Sequence, residues 1–420
     1  MTDQAPNNFV RQTTAHPYRQ VVRFGMAIVL LTALPIAYYL GFEAAPETYR
    51  PLFVVEKPGS AAVRAIGGPN NDDARHIIET PIFVKGIYVS AATAGYTKRF
   101  DELVELVEQT ELNTLVIDVK DHRGALAFAP ETEALEPYVA AQPTLGNLQE
   151  FTAPLKEKGI YLIARLFVFQ DPALVAVHPE WAVSTSSGSP WRDYKGVAWL
   201  DPASKDVWRY NATIAKEVFA GGFDEVQFDY IRFPSDGNLK SAVYPVWDKQ
   251  KNKYEVMADF FTYLDKELRV KVGLPISVDL FGLTMWQHDY DLNIGQRLLE
   301  AMPHFDFISP MVYPSHYPAG FLGCANPAVC PYEVVYENML KGQTVLNRFD
   351  VGTGGHADVL PARQLATFRP WIQDFHLGAT YTPDMVRQQM TATEAGGGTG
   401  WLLWNARNVY TAEALEPAEE

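Results

Sequence analysis

Cysteine is scarce in this chain. Two stand among 420 residues, too few for a disulfide-stapled scaffold. Cys324 and Cys330 lie six positions apart in a loop rich in Pro and Gly. A bridge closing that loop is the expectation, with two unpaired thiols as the alternative. No further ligands at metal spacing lie near them, and His-x-His and His-Glu-x-x-His are missing, so no zinc centre is expected. Also missing are the Gly-x-Ser-x-Gly of a serine esterase elbow and the glycine fingerprint of a dinucleotide site. Gly-Thr-Gly-Gly at 352–355 has no Lys-Ser/Thr after it. No metal and no cofactor is expected. Basic residues are outnumbered, 35 Lys and Arg against 50 Asp and Glu, for a formal charge of −15. That balance excludes nucleic acid as the expected partner, because phosphate contacts need a basic face. With 47% hydrophobic and 20% charged residues, disorder, collagen and coiled coil are excluded as the main architecture.

One long apolar run is present. Phe24 to Phe42 contains no formal charge and as a helix spans ~28 Å, close to the hydrocarbon core of a bilayer. Arg11, Arg19 and Arg23 precede it; Glu43 and Glu47 follow. The charge asymmetry predicts a single-pass anchor in the inner or cytoplasmic membrane, residues 1–23 inside and the rest exported. A cleaved signal peptide, leaving a secreted or periplasmic protein, is the alternative. Residues 43–81 read as a linker, broken by Pro46, Pro51, Pro58, Pro69 and Gly67-Gly68.

From residue 82 to about 410, runs of strand length alternate with helical patterns. Strands are expected at Val84–Ser90, Leu115–Asp121, Tyr161–Phe169, Glu225–Phe233, Ile276–Gly282, Phe307–Tyr313, Phe368–Phe375 and Trp401–Asn405. Helices are expected at Phe100–Gln109 and near 148–158, 204–220, 255–269, 291–302, 332–346 and 383–395, with Gly-Gly-Gly-Thr-Gly at 396–400 as a helix stop. Eight strands with intervening helices predict an α/β fold, a TIM (β/α)₈ barrel; an open doubly wound sheet is the rival. Residues 411–420 read as a C-terminal tail.

Residues two apart in a strand share a face. Glu225, Gln227 and Asp229 share one; so do Ser277 and Asp279; so do Val116, Asp118 and Lys120; so do Arg369, Trp371 and Gln373. Arg165 sits among apolar neighbours in strand three. One face is thus apolar, to meet helices, while the other turns polar toward the strand C-termini, where barrel enzymes keep their chemistry. Arg232 has the parity opposite to Asp229, so it either points away from the axis or belongs to a distorted strand end. Aromatics gather in the loops after the strands: Trp199 after strand three, Trp286 after strand five, Tyr313 and His316 at strand six, with Trp404 and Asn405 closing strand eight. Such rings suit either a sugar-stacking platform or small cores beneath long loops.

The segments VKGIYVSAATAG (84–95), TELNTLVIDVKDHRG (110–124), GIYLIARLFVFQDP (159–172), GFDEVQFDYIRFPSDG (222–237), RPWIQDF (369–375) and GWLLWNARNVY (400–410) carry a resemblance. The chain resembles a bacterial family of glycoside-hydrolase barrels long catalogued only as a domain of unknown function, similar to alpha-amylase-like glycosidases. The resemblance covers about 82–410 and implies a carbohydrate polymer as partner and a pair of carboxylates as the catalytic machinery. Related barrels place a nucleophile at the end of strand four and an acid on strand five or beyond. The resemblance therefore implies Asp229 as nucleophile or base and Asp279 as acid, with Asp118 in reserve and Asp121 less favoured. Arg165, Lys120 and Gln373, with Trp199, Trp286, Tyr313, His316, Trp404 and Asn405, are the expected substrate-binding set. A catalytically silent carbohydrate-binding barrel remains the alternative.

Overall fold

A computed structural model describes residues 78–352 and 365–418. Its strands are β1 (Val84–Val89), β2 (Thr114–Asp118), β3 (Tyr161–Phe167), β4 (Glu225–Asp229), β5 (Ile276–Phe281), β6 (Phe307–Met311), β7 in two pieces (Thr367–Phe368 and Trp371–Gln373) and β8 (Gly400–Trp404). Every ladder is parallel; β1 pairs with β2 on one side and β8 on the other, and β5 pairs with β6. The sheet thus closes into the expected eight-stranded barrel rather than opening into a doubly wound layer. The break in β7 falls at Pro370, which has no N–H to give a ladder.

The outward positions are apolar, as the alternation requires. Ile87, Leu115, Leu162, Val226, Val278, Ile308 and Leu403 are fully buried beneath the surrounding helices, each contributing ~1.5–3 kcal/mol of burial. Phe100, Leu103, Val104 and Val107 line the inner stripe of the helix Thr97–Gln109. The helix Lys205–Ala220 begins where the Ser204 hydroxyl accepts from the Val207 N–H. The helix Pro383–Ala395 stops at Gly396, as the glycine run predicts. The helix expected near 291–302 shrinks to Leu298–Ala301. The Asp291 side chain instead accepts from the Asn293 N–H, and Leu292 and Asn293 take left-handed φ angles, so a local turn wins over the helix.

Inside the barrel, the lower layer is a sealed polar cluster. Glu225 accepts from the Tyr161 hydroxyl at 3.0 Å, from the Ser277 hydroxyl and from the Arg369 guanidinium; neither member of the Arg369–Glu225 pair is exposed. Residues just before β1, the end of the expected linker, pack onto this layer. The Thr80 hydroxyl is 3.1 Å from that of Tyr161, and the Ile78 N–H donates to Asp224. The C-terminal stretch is likewise not a free tail: the Glu111 N–H donates to the Glu416 carbonyl, Arg387 Nε to that of Ala414, and the Ala418 N–H to that of Gln109. Among the described residues no helix is long and apolar enough to cross a membrane; the expected anchor Phe24–Phe42 and the linker up to residue 77 lie outside them.

Candidate active site

The upper layer of the barrel is organised around Arg165, which projects inward from β3. Its Nη1 donates to Asp118 Oδ1 at 2.7 Å, its Nη2 donates to Asp229 Oδ2, and its Nε lies 3.6 Å from Asp279 Oδ2. One guanidinium therefore gathers carboxylates from the C-terminal halves of β2, β4 and β5. The remaining carboxylate oxygens are also held. The Tyr88 hydroxyl donates to Asp118 Oδ2 at 2.6 Å, the Trp371 indole to Asp279 Oδ1 at 2.8 Å, and the Tyr230 N–H to Asp229 Oδ1 at 2.6 Å. Trp404 stacks on Tyr88 with ring centres 4.2 Å apart, and the Arg165 guanidinium lies over Trp404 and Phe167.

Three carboxylates face one cation, and burial limits how much negative charge can remain. Burial, reinforced by the neighbouring charge of Asp229, pushes the Asp279 carboxyl well above the usual carboxylate range, with Arg165 opposing. Burial also raises Asp118, again against the pull of Arg165. Burial disfavours the charge on Arg165 itself, but Asp229, Asp118, Tyr88 and Asp279 outweigh it and hold the guanidinium firmly protonated. Asp279 is only 1% exposed and Asp229 7%. Half-buried side chains stand beside the layer: Phe167, Tyr230, Phe281, Met311, Phe375 and Trp404.

Several expected binding residues are committed elsewhere. Lys120 lies beyond the end of β2 and turns outward, where its ammonium is held by Asp171 at 2.7 Å, the Phe167 carbonyl and Asn211. The Gln373 side chain faces inward but is used up by backbone, accepting from the Ser315 N–H and donating to the Phe375 and Leu377 carbonyls. Asn405 is buried and donates to the Asp374 carbonyl. Trp199 is fully buried, its indole donating to Asp193 at 3.0 Å. Trp286 donates to Asn338 and packs on Phe321. Trp199 thus belongs to a small core under the loops, while Trp286 packs on its loop and stays half-buried. Tyr313 lines the interior with its ring 5.6 Å from Phe375, and the exposed His316 stands beside it. Asp121 folds back onto the Arg123 and Ala125 N–H groups as a turn. Cys324 and Cys330 are joined by a disulfide.

Two partners of the carboxylates, Tyr88 and Trp371, are not among the residues that the sequence pattern singles out as site residues. Tyr88 ends the inward series Val84, Gly86, Tyr88, so its parity is a readable signal. Trp371 shares a face with Arg369 and Gln373, but nothing in the pattern marks it as the donor to Asp279. Arg232 resolves in favour of the distorted strand end. Tyr230 takes a left-handed φ of 52°, which breaks the alternation and turns the guanidinium back over Trp199, Tyr230 and Phe281.

Known proteins agree with this architecture. No curated protein matches the chain. Among solved structures, the glycoside hydrolase domain of PgaB (BpsB) from Bordetella bronchiseptica is similar at 14% identity, over 77% of this chain and 94% of that one, with a TM-score of 0.52. Alpha-L-fucosidase isoenzyme 2 from Paenibacillus thiaminolyticus is similar at 14% identity over 77% and 46%, with a TM-score of 0.51. A hypothetical protein from Ruminiclostridium thermocellum shares 34% identity over 46% of this chain and 96% of its own, with a TM-score of 0.41. The first two likenesses speak for the barrel alone. A family model described as "Putative glycosyl hydrolase domain" matches residues 86–410, a span that holds β2 to β8 and every residue of the upper carboxylate layer, and the chain belongs to that family.

Proposed function

We propose that the barrel hydrolyses glycosidic bonds of a polysaccharide, with Asp229 and Asp279 as the working pair. The observation that carries this is the surplus of carboxylates over cations at the C-terminal end of the strands. Asp229, at the C-terminal end of β4, accepts from the Arg165 guanidinium and a backbone N–H and takes the place of nucleophile or base. Asp279, whose carboxyl burial and the charge of Asp229 push upward, has the environment that a general acid needs. The Trp371 indole occupies its Oδ1, which directs the acid's proton to Oδ2. In the reaction, the glycosidic C–O bond breaks and its oxygen takes the Asp279 proton. Asp229 either bonds to the anomeric carbon or draws a proton from the attacking water.

A panel of polysaccharides offered to the full chain, with release of reducing ends as readout, tests this. Hydrolysis of one polymer that disappears in Asp229→Asn is expected; a variant that keeps most of the rate overturns the assignment.

One observation favours a second reading, a barrel that binds glycans without cutting them. Both oxygens of Asp229 are engaged and little of the residue is exposed. Binding of a polymer with no release of reducing ends would select it. The reading also places the barrel outside the cytoplasm, tethered by Phe24–Phe42; degradation of the barrel by protease added to intact spheroplasts supports this, and protection contradicts it.

A further inference from the structure

Arg232 is 8% exposed, yet no carboxylate among the described residues lies within ion-pair distance of it. The other arginines buried this deeply inside the barrel, Arg165 and Arg369, each have a carboxylate. A buried guanidinium without a counter-charge is costly. Its faces are covered by Trp199 at 4.8 Å, Phe281 at 5.0 Å and Tyr230 at 5.6 Å, and such contacts offset only part of that cost. Both of its hydrogen bonds come from Nη1, to the Phe233 carbonyl at 3.2 Å and the Ser235 hydroxyl at 3.1 Å. Among the described residues Nε and Nη2 donate to nothing, and neither is among the polar atoms sealed from solvent. In a guanidinium these two nitrogens share one edge, with parallel N–H bonds that match the oxygens of a carboxylate, sulfate or phosphate.

The nearby carboxylates are already occupied. Asp193 accepts from the Lys195 and Val197 N–H groups, the Trp199 indole and the Gln170 amide. Asp236 accepts from the Tyr194 N–H, and Asp229 is held by Arg165. The free edge also borders the carboxylate layer, because Tyr230 follows Asp229 and Phe281 lies two residues beyond Asp279.

We infer that Arg232 forms an anion-binding subsite beside Asp229, and that the glycan this barrel takes carries an acidic group on the sugar. The inference rests on the glycosidase reading for its substrate class and adds the charge of that substrate. Sugar carboxylates and sulfate esters share the chemistry that the fork recognises. The chain's net charge of −15 gives no long-range attraction for a polyanion, so recognition falls to this one short-range contact.

The test is equilibrium binding to the full chain of trigalacturonate, its neutral methyl ester and a sulfated neutral trisaccharide. An acidic probe should bind at least about tenfold more tightly than the methyl ester, the worth of one charge-assisted fork. Arg232→Gln should lose that preference while binding the ester unchanged, and Arg232→Lys should fall between. The tighter of the two acidic probes identifies the source of the anion. Near-UV circular dichroism checks folding, and Arg232→Lys decides should Arg232→Gln fail to fold. Equal binding of acid and ester, acid binding unchanged in both variants, or no binding of either acidic probe overturns the inference. Acid-selective binding without cleavage of any polymer keeps the subsite and removes the hydrolase reading instead.

Discussion

The barrel contains two carboxylate–guanidinium clusters, one above the other, and they differ in charge balance. In the lower layer, Glu225 meets Arg369 one to one, and Tyr161 and Ser277 satisfy the rest of the carboxylate. In the upper layer three carboxylates surround Arg165 alone. Both layers are buried, so burial does not distinguish scaffold from chemistry here. The unmatched negative charge does, because it forces a carboxyl to hold a proton that it can later release.

The largest expected effect tests the upper layer directly. Asp229→Asn should cut turnover by about 10³- to 10⁴-fold or more, the scale of losing a principal catalytic group, while the thermal unfolding midpoint stays close to that of the parent. The mirror experiment belongs below. Glu225→Gln strands the Arg369 charge in a sealed interior and should cost ~3–5 kcal/mol in urea unfolding. A small cost there, or a large one for Asp229→Asn, would dissolve the contrast between the layers. Tyr88→Phe leaves Asp118 Oδ2 without its donor and should cost ~1–3 kcal/mol by the same measurement.

A subtler effect concerns pH. Asp279 has a folded-state pKa raised above its unfolded value, so the folded chain binds the extra proton. Its contribution to stability is present below the unfolded carboxylate range, near pH 4, and is lost as pH rises from there through the folded pKa. Asp279→Asn should flatten that decline in unfolding free energy measured between pH 4 and 8, leaving the slope due to Asp118, which burial raises too. A slope unchanged by the substitution would mean that Asp279 is not the proton holder.

Alternation of side chains was enough to find the upper layer. Asp118, Arg165, Asp229 and Asp279 all face inward as their parity predicts, because each lies on a regular strand. Parity misleads at Lys120 and leaves two directions open at Arg232 for a shared reason. Both lie past the last ladder residue, where nothing enforces the two-residue period. At Arg232 the cause is the left-handed backbone of Tyr230, a conformation that an aromatic residue does not advertise as a glycine would. Gln373 and Asn405 face the issue of supply rather than direction. Their amides are absorbed by loop backbone, and sequence gives no account of which carbonyls a loop leaves unpaired. Trp199 shows that a loop aromatic next to a barrel mouth can be taken up by the loop's own core.

The residues that flank the barrel bear on where the domain can be cut. Thr80 and Ile78 reach the floor of the barrel beside Tyr161 and Asp224, and residues 411–418 bind the strand-like edge at Gln109 and Glu111. A chain trimmed to the matched span, residues 86–410, would lose both. Water would then reach the Tyr161–Glu225 layer from below, and Arg387 would lose the Ala414 carbonyl it donates to. These contacts lie outside the matched span, so a fragment for expression should begin ahead of Ile78 and run through Ala418.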